Sequence, residues 1–227
     1  MKSLMLEKQK IKKKKEPKNT AHRMESHRGL KTRQKVLSVA GEIIAKEGVH
    51  NLRYSQIAKI AKIPQALLGY HFPNLEVLLM ELTQGELEKL KQLSVENTEK
   101  SAHNPRKALE AYVRAPFELA DKDKVFSSIW TAFYHLSAVN SEFSSLNLRI
   151  RSTGRERILN LITMVLATEG QLLGKKQISR DELINQSIAI QGIITGLCIM
   201  AMSEAHANFS KFADLAVNSC LHQLEIN

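Results

Sequence analysis

The stretch that decides the fold is Ile57-Ala58-Lys59-Ile60-Ala61-Lys62-Ile63-Pro64-Gln65-Ala66-Leu67-Leu68-Gly69-Tyr70-His71-Phe72-Pro73-Asn74-Leu75-Glu76-Val77-Leu78-Leu79. Ile57, Ala58, Ile60 and Ala61 mark a helix of about two turns, which Ile63-Pro64 interrupts because a residue before proline is driven out of the helical region. A second short helix follows at about 65 to 71. Pro73-Asn74 closes it, and Asn74 with Glu76 behind it reads as the cap of a longer helix carrying Leu75, Leu78, Leu79, Leu82 and Leu90. Upstream, Val36, Leu37, Ala40, Ile43 and Ile44 recur at three- and four-residue steps, and Gly48 ends that pattern, which predicts a first helix at about 31 to 47. The order is therefore helix, short helix, tight turn, short helix, long helix. That arrangement places the second short helix in a DNA major groove when its outward face is small or polar. Gln65, Ala66, Gly69 and Tyr70 supply such a face, with Leu67 or Leu68 turned inward. Spacing by itself leaves other readings open, since many small α-domains contain helix pairs.

Downstream, caps locate the helix starts. Asn104-Pro105 opens one helix, with proline at its first position, and Asp123 or its neighbour Asp121 opens another containing Phe126, Ile129, Trp130 and Phe133. Ser141-Glu142 begins a longer one, to about Thr168, before Gly170 and Gly174 break the pattern. Ser179-Arg180-Asp181-Glu182 has the Ser-x-x-Glu form of a capping box, and an apolar helix follows to about Ala205. A last amphipathic helix is expected at about 210 to 225. Nowhere is there sustained two-residue alternation of β-branched and aromatic residues, so the fold class is all-α.

Composition narrows the function classes. The chain has 227 residues, 43% hydrophobic and 25% charged, which is enough apolar material to fold most of it. It lacks a run of about 18 consecutive apolar residues and a cleavable apolar leader, so no membrane partner is expected. Two cysteines, Cys198 and Cys220, both within apolar helical patterns, point away from a disulfide framework and toward the cytoplasm. The formal charge is +10, and its placement is uneven. Residues 1 to 30 hold ten Lys or Arg against three Glu, residues 31 to 75 hold seven against two, and the remainder is slightly acidic. A basic end and a near-neutral end suggest that the first meets a polyanion while the second packs, dimerises or binds something small. Residues 1 to 28, with the run Lys12-Lys13-Lys14-Lys15, read as a disordered basic tail. Residues 29 to 75 read as the helix-turn-helix domain, and 76 to 227 as a larger helical regulatory and dimerisation domain.

Beyond these patterns, residues 31 to 90 resemble the N-terminal domain of the TetR (tetracycline-repressor-like) family of transcriptional regulators. Ile57-Ala58-x-x-Ala61-x-Ile63 resembles the second helix and turn of that family. Leu68-x-Tyr70-His71-Phe72-Pro73-Asn74-x-Glu76-x-Leu78-Leu79 resembles its third helix and the start of its fourth, and Ala40 through Gly48 the end of its first. The segment from Gly192 to Leu197 is similar to one common in the family's dimerising helix. There are departures. Lys62 stands where glycine is common, Pro64 where Ser or Thr is, and Arg53 where a capping Thr or Ser is usual. Gly69 replaces a tyrosine, and Leu75 a lysine, that contact phosphate in the family.

The resemblance implies a homodimeric DNA-binding regulator, with a repressor the commoner sense, modulated by a small apolar effector. Its DNA contacts would come from Arg53, Tyr54, Ser55, Gln65, Ala66, Gly69, Tyr70 and His71. Gln65 is the candidate base reader, since an amide can accept from adenine N6–H and donate to N7 together. The effector would lie among Tyr112, Phe117, Trp130, Phe133, Tyr134 and Met164. Dimerisation is expected through helices at about 155 to 168 and 181 to 205, where Ile188, Ile190, Ile193, Ile194, Leu197, Cys198 and Met202 spread over more than one face. Two other readings stand beside this one: an architectural helical dimer with degenerate, non-specific DNA binding, and an enzyme or carrier built on the C-terminal bundle. No His-Glu-x-x-His, Cys-x-x-Cys, Gly-x-Ser-x-Gly or phosphate-cradling glycine loop occurs, so no catalytic residue, metal or cofactor is expected.

Overall fold

The computed structural model describes residues 27–170 and 178–224, and among these there are helices and no strands. Helix α1 (His27–Glu47) leads through a 3-10 turn (Val49–Asn51) to the short pair α2 (Tyr54–Ala61) and α3 (Gln65–His71). Then come α4 (Leu75–Lys100), α5 (Pro105–Lys122), α6 (Lys124–Val139), α7 (Ser141–Val165), α8 (Arg180–Ser203) and α9 (Phe209–Gln223). The basic tail expected at 1 to 28 lies outside the described residues as far as position 26, while His27 and Arg28 already belong to α1, which starts four residues earlier than its apolar pattern.

Polar side chains hold the helix starts, as the caps predict. Asn74 accepts from the Val77 amide (2.8 Å), Asn104 from Lys107 (3.0 Å) and Ser179 from Glu182 (3.2 Å). Asp123, rather than Asp121, caps α6, accepting from Val125 (2.9 Å) and Phe126 (3.1 Å). Helix α4 runs on to Lys100, past the last periodic leucine, where it packs on α5, with Ser94 buried and Asn97 donating to Glu118 (3.0 Å), and carries Glu-Lys pairs such as Lys100 with Glu96 on its outer side. Helix α7 ends at Val165, short of Thr168, in a π-turn over Leu166–Gly170.

Two main hydrophobic cores, with a small third cluster of Phe133, Phe143 and Leu146, form among the described residues. The first gathers Val36, Ala40, Ile44, Ile57, Leu68 and Phe72 from α1 to α3, with Leu78 and Leu82 of α4 and Ile129 of α6. The second fills the C-terminal bundle with Leu109, Phe117, Phe126, Ile158, Ile162, Ile190, Cys198 and Cys220. Helices α4 and α6 therefore serve both cores. Gly41 permits the close approach of α1 to α6: a Cβ there would stand 2.8 Å from Val125 Cγ1. By length and composition α8 could cross a membrane, with mean hydropathy 1.6 over 18 residues, yet it lies between α7 and α9 in the bundle.

Candidate functional site

The α2-α3 pair presents one continuous outer surface. Gln65, Ala66, Gly69 and Tyr70 of α3 are all exposed, Tyr70 to 70%, and Arg53, Ser55, Lys59 and Lys62 flank them. Leu68 is the inward leucine, fully buried, while Leu67 stays on the surface. The turn between the helices is made by Lys62 itself, at φ 52° and ψ 49°, which accounts for glycine being common at that position. Arg53 precedes α2 without capping it, and its guanidinium folds back to donate to the carbonyls of His50 (2.6 Å) and Leu52 (3.0 Å). Neither Lys59 nor Lys62 has a carboxylate partner among the described residues, so this face is a cationic surface of small and polar groups.

Two residues expected on that face turn away from it. His71 is buried at 7% exposure under the Tyr70 ring, because the register that exposes Gln65, Ala66 and Gly69 rotates position 71 toward the core. Tyr54 is half-buried, and its hydroxyl donates to the Phe72 carbonyl. Burial raises the Tyr54 phenol above its ordinary range. Sequence reasoning missed its counterpart, Arg33. From α1 its guanidinium donates to the His71 carbonyl (2.8 Å), pairs with Glu81 and stacks 4.6 Å over the Phe72 ring. Arg33 and Tyr54 thus satisfy two carbonyls at the C-terminal end of α3 and set its angle from behind. The one signal in the sequence was that Arg33 shares a helix face with Val36, Leu37 and Ala40.

The C-terminal bundle encloses a cavity in two adjoining chambers. The inner, of about 100 Å3, is lined by Trp130, Tyr134, Pro116, Arg151 and Thr195 among others, and the outer, of about 470 Å3, by Gln84, Leu87, Arg149, Thr153 and Arg157 among others. Leu90, Ser94, Tyr112, Ile150 and Gly154 border both. Of the six expected lining residues, three are there: Tyr112, Trp130 and Tyr134. Phe117 and Phe133 are instead packed solid at 1% and 2% exposure, each on a helix face turned into a core cluster, and Met164, 47% exposed, lies on the outside of α7. Sequence reasoning missed the arginines of α7, whose i, i+2 and i+8 spacing gives no amphipathic signature. Burial raises the phenols of Tyr112 and Tyr134, with the positive charges of Arg157 and Arg151 respectively opposing it. Pro116 has no amide to offer the Tyr112 carbonyl, so α5 lacks one bond of its i→i−4 ladder beside the cavity.

Other chemistry finds little footing. Burial pushes the Cys198 and Cys220 thiols up to about 12, so both are protonated at neutral pH and inert as nucleophiles. Among the described residues no cluster of His, Cys, Asp or Glu could hold a metal ion.

No family model matches the sequence, and no curated protein matches it either. Solved structures do share the fold over most of the chain. A putative TetR-family regulator from Rhodococcus sp. superposes with a TM-score of 0.65 at 16% identity, covering 86% of this chain and 99% of its own. A putative transcriptional regulator from Saccharomonospora viridis in complex with choline gives 0.67 at 20% identity, with 85% and 96% covered. AibR, in complex with isovaleryl coenzyme A and operator DNA, gives 0.62 at 14% identity, with 83% and 97% covered. The chain has the all-α fold of TetR-like transcriptional regulators.

Proposed function

We propose that a chain with this fold, this cationic α2-α3 face and this cavity is a TetR-like DNA-binding transcriptional regulator and not an enzyme. It would act in the cytoplasm as a homodimer and respond to a small effector. The observation that carries the reading is the α3 surface: Gln65, Ala66, Gly69 and Tyr70 face outward together, edged by Lys59 and Lys62, while Arg33 and Tyr54 brace the helix from the protein side. Small side chains let the helix enter a major groove, and Gln65 carries an amide that can read a base. Lys59, Lys62 and Arg53 provide sequence-independent attraction to phosphate. A neighbour of the same fold was solved in complex with operator DNA, which supports the reading.

Dimerisation is supported by α8. Its most apolar 18-residue window is only 22% buried in the single chain, and Ile184, Ile188 and Met200 on it are exposed together with Leu215 of α9. So much open apolar surface on adjacent helices is the mark of a subunit interface. In a two-fold dimer the recognition helices would fall about 34 to 36 Å apart or a multiple of that. On this reading α1 to α3, up to residue 75, form the DNA-binding unit and residues 76 to 227 the regulatory one, with the basic residues before α1 as an added cationic contact.

Selection of bound fragments from random duplex DNA tests the proposal. A two-fold-symmetric consensus is expected. Featureless enrichment would favour an architectural role, for which the absence of a phosphate-contacting tyrosine at Gly69 and lysine at Leu75 is the specific ground.

A further inference from the structure

The cavity walls carry a charge imbalance. In the outer chamber Lys91 pairs with Glu88 at 2.9 Å, which leaves Arg149 and Arg157, neither with an ion pair among the described residues. Glu142 shares a surface cleft with Arg149 but forms no ion pair with it. The inner chamber has one charged group, Arg151, likewise without an ionic partner among the described residues. All three arginines lie within little more than two turns of α7. A concave site whose low-dielectric walls carry one sign of charge concentrates counter-ions.

Around those charges the walls are aromatic and aliphatic: Tyr112, Trp130, Tyr134, Leu90, Ile150 and Ile194. Trp130, 9% exposed, lines the inner chamber, and its indole Nε1–H has no acceptor among the described residues. Together the chambers fall within the ~300–1,000 Å3 usual for small-molecule sites. Three aromatic rings would also suit a quaternary ammonium, but such a cation would have to enter against three guanidinium groups that form no ion pair among the described residues.

We infer that the effector is an amphipathic organic anion, its acidic head held by Arg149 and Arg157 at the outer chamber and its apolar body laid inward against Tyr112, Tyr134 and Trp130. The inference rests on the reading of the cavity as an effector site and adds the ligand's chemical class. Gly154 borders both chambers, and a Cβ there would stand 2.9 Å from Gln191 Nε2 and 3.5 Å from the Tyr112 hydroxyl, so a large side chain at this position would intrude where the chambers adjoin.

The test uses the full-length protein and three probes with one tail and different heads: decanoate, decanol and decyltrimethylammonium, each below its micellar concentration. Trp130 is the one tryptophan of the chain, so its emission reports occupancy directly. Decanoate should bind saturably and at least tenfold more tightly than decanol, with the ammonium weakest. In the Arg149→Gln/Arg157→Gln double variant decanoate should fall to the decanol level while decanol changes by less than twofold, which also shows that the cavity is intact. Gly154→Leu should weaken both by about tenfold or more. Decanol binding as tightly as decanoate, or a decanoate advantage that survives the double substitution, overturns the anion assignment alone. If none of the three probes perturbs Trp130, the effector cavity falls with it, and the DNA-binding reading is then judged separately by fragment selection.

Discussion

At Lys62 the backbone occupies the left-handed region, φ 52°, in which a side chain costs about 1 kcal/mol relative to glycine. The same residue places an ammonium at the edge of the α3 face. Structure and binding therefore pull in opposite directions at one position. Lys62→Gly should stabilise the fold by about 1 kcal/mol, raising Tm by about 2–4 °C at fixed protein concentration, while reducing the slope of log affinity against log salt by about 0.9. Thermal unfolding and salt-titrated DNA binding check the two halves, and a lowered Tm would show that the turn is unstrained. Gln65, three positions on, has no such divided duty. Gln65→Ala should cost about 1–3 kcal/mol for one preferred base pair per half-site and little elsewhere. Competition among single-base operator variants reads this out, and an equal loss on every sequence would remove Gln65 as a base reader.

On the scale of elements, α3 has only seven residues and too few hydrogen bonds to hold itself, so its position depends on what grips its ends. Tyr54→Phe would leave the Phe72 carbonyl without its donor and should destabilise the domain by about 1–3 kcal/mol, weakening all DNA sequences alike; unchanged urea unfolding would contradict the brace. A second grip joins α4 to the start of α6, where Lys89 pairs with both Glu86 and Asp123, each at 2.9 Å. Burial alone would raise the Asp123 carboxyl, but Lys89 and the amides of Phe126 and Val125 outweigh it and hold it below its ordinary value. A carboxyl lowered in the folded state adds stability that is full above the unfolded value, near 3.8, and is lost as pH falls through the folded one. Asp123→Asn keeps an N-cap but not the charge. It should lower stability at neutral pH by about 0.5–1 kcal/mol and flatten the loss below about pH 4. Urea unfolding at pH 7 and pH 3 measures both, and an undiminished acid dependence would show that Asp123 contributes none of it.

For the whole molecule, α4 is the link between ends. Leu78 and Leu82 pack into the core beneath α2 and α3, and Leu90 and Ser94 border the cavity. On the proposed reading, an effector that shifted the second half of this helix would act on a rod whose first half is built into the core of the α2-α3 pair. The proposed dimer would rest on α8: Ile188→Glu with Met200→Glu should convert the protein to monomers in sedimentation at micromolar concentration and abolish binding to a palindromic site, and a dimer that survives both charges would exclude this face. Nine Lys or Arg lie in residues 1 to 26. Deleting them should flatten the salt slope by several units, at about 0.9 per phosphate neutralised, and leave the consensus intact, whereas an unaltered slope would make the segment a bystander.

What the sequence determined by itself was everything that local chemistry dictates: helix periods, the caps at Asn74, Asn104 and Ser179, the break at Ile63-Pro64, and the uneven spread of charge. Those features depend on residues a few positions apart, and they sufficed for an all-α chain with a helix-turn-helix near its start. Tertiary structure alone decided which side chains of α3 face out, because Leu67 and Leu68, or Tyr70 and His71, are alike in sequence and differ only in what lies behind them. It also decided that Arg33 serves α3 from 38 residues away. Phe117 and Phe133 looked like Tyr112 and Trp130 as aromatic helix residues, yet only the latter pair meets the cavity. A cavity is a property of how five helices fail to fill the space between them, and no periodicity along one helix encodes it. The arginines of α7 became a binding element for the same reason: their charges acquire a common direction once α4 and α5 close over them.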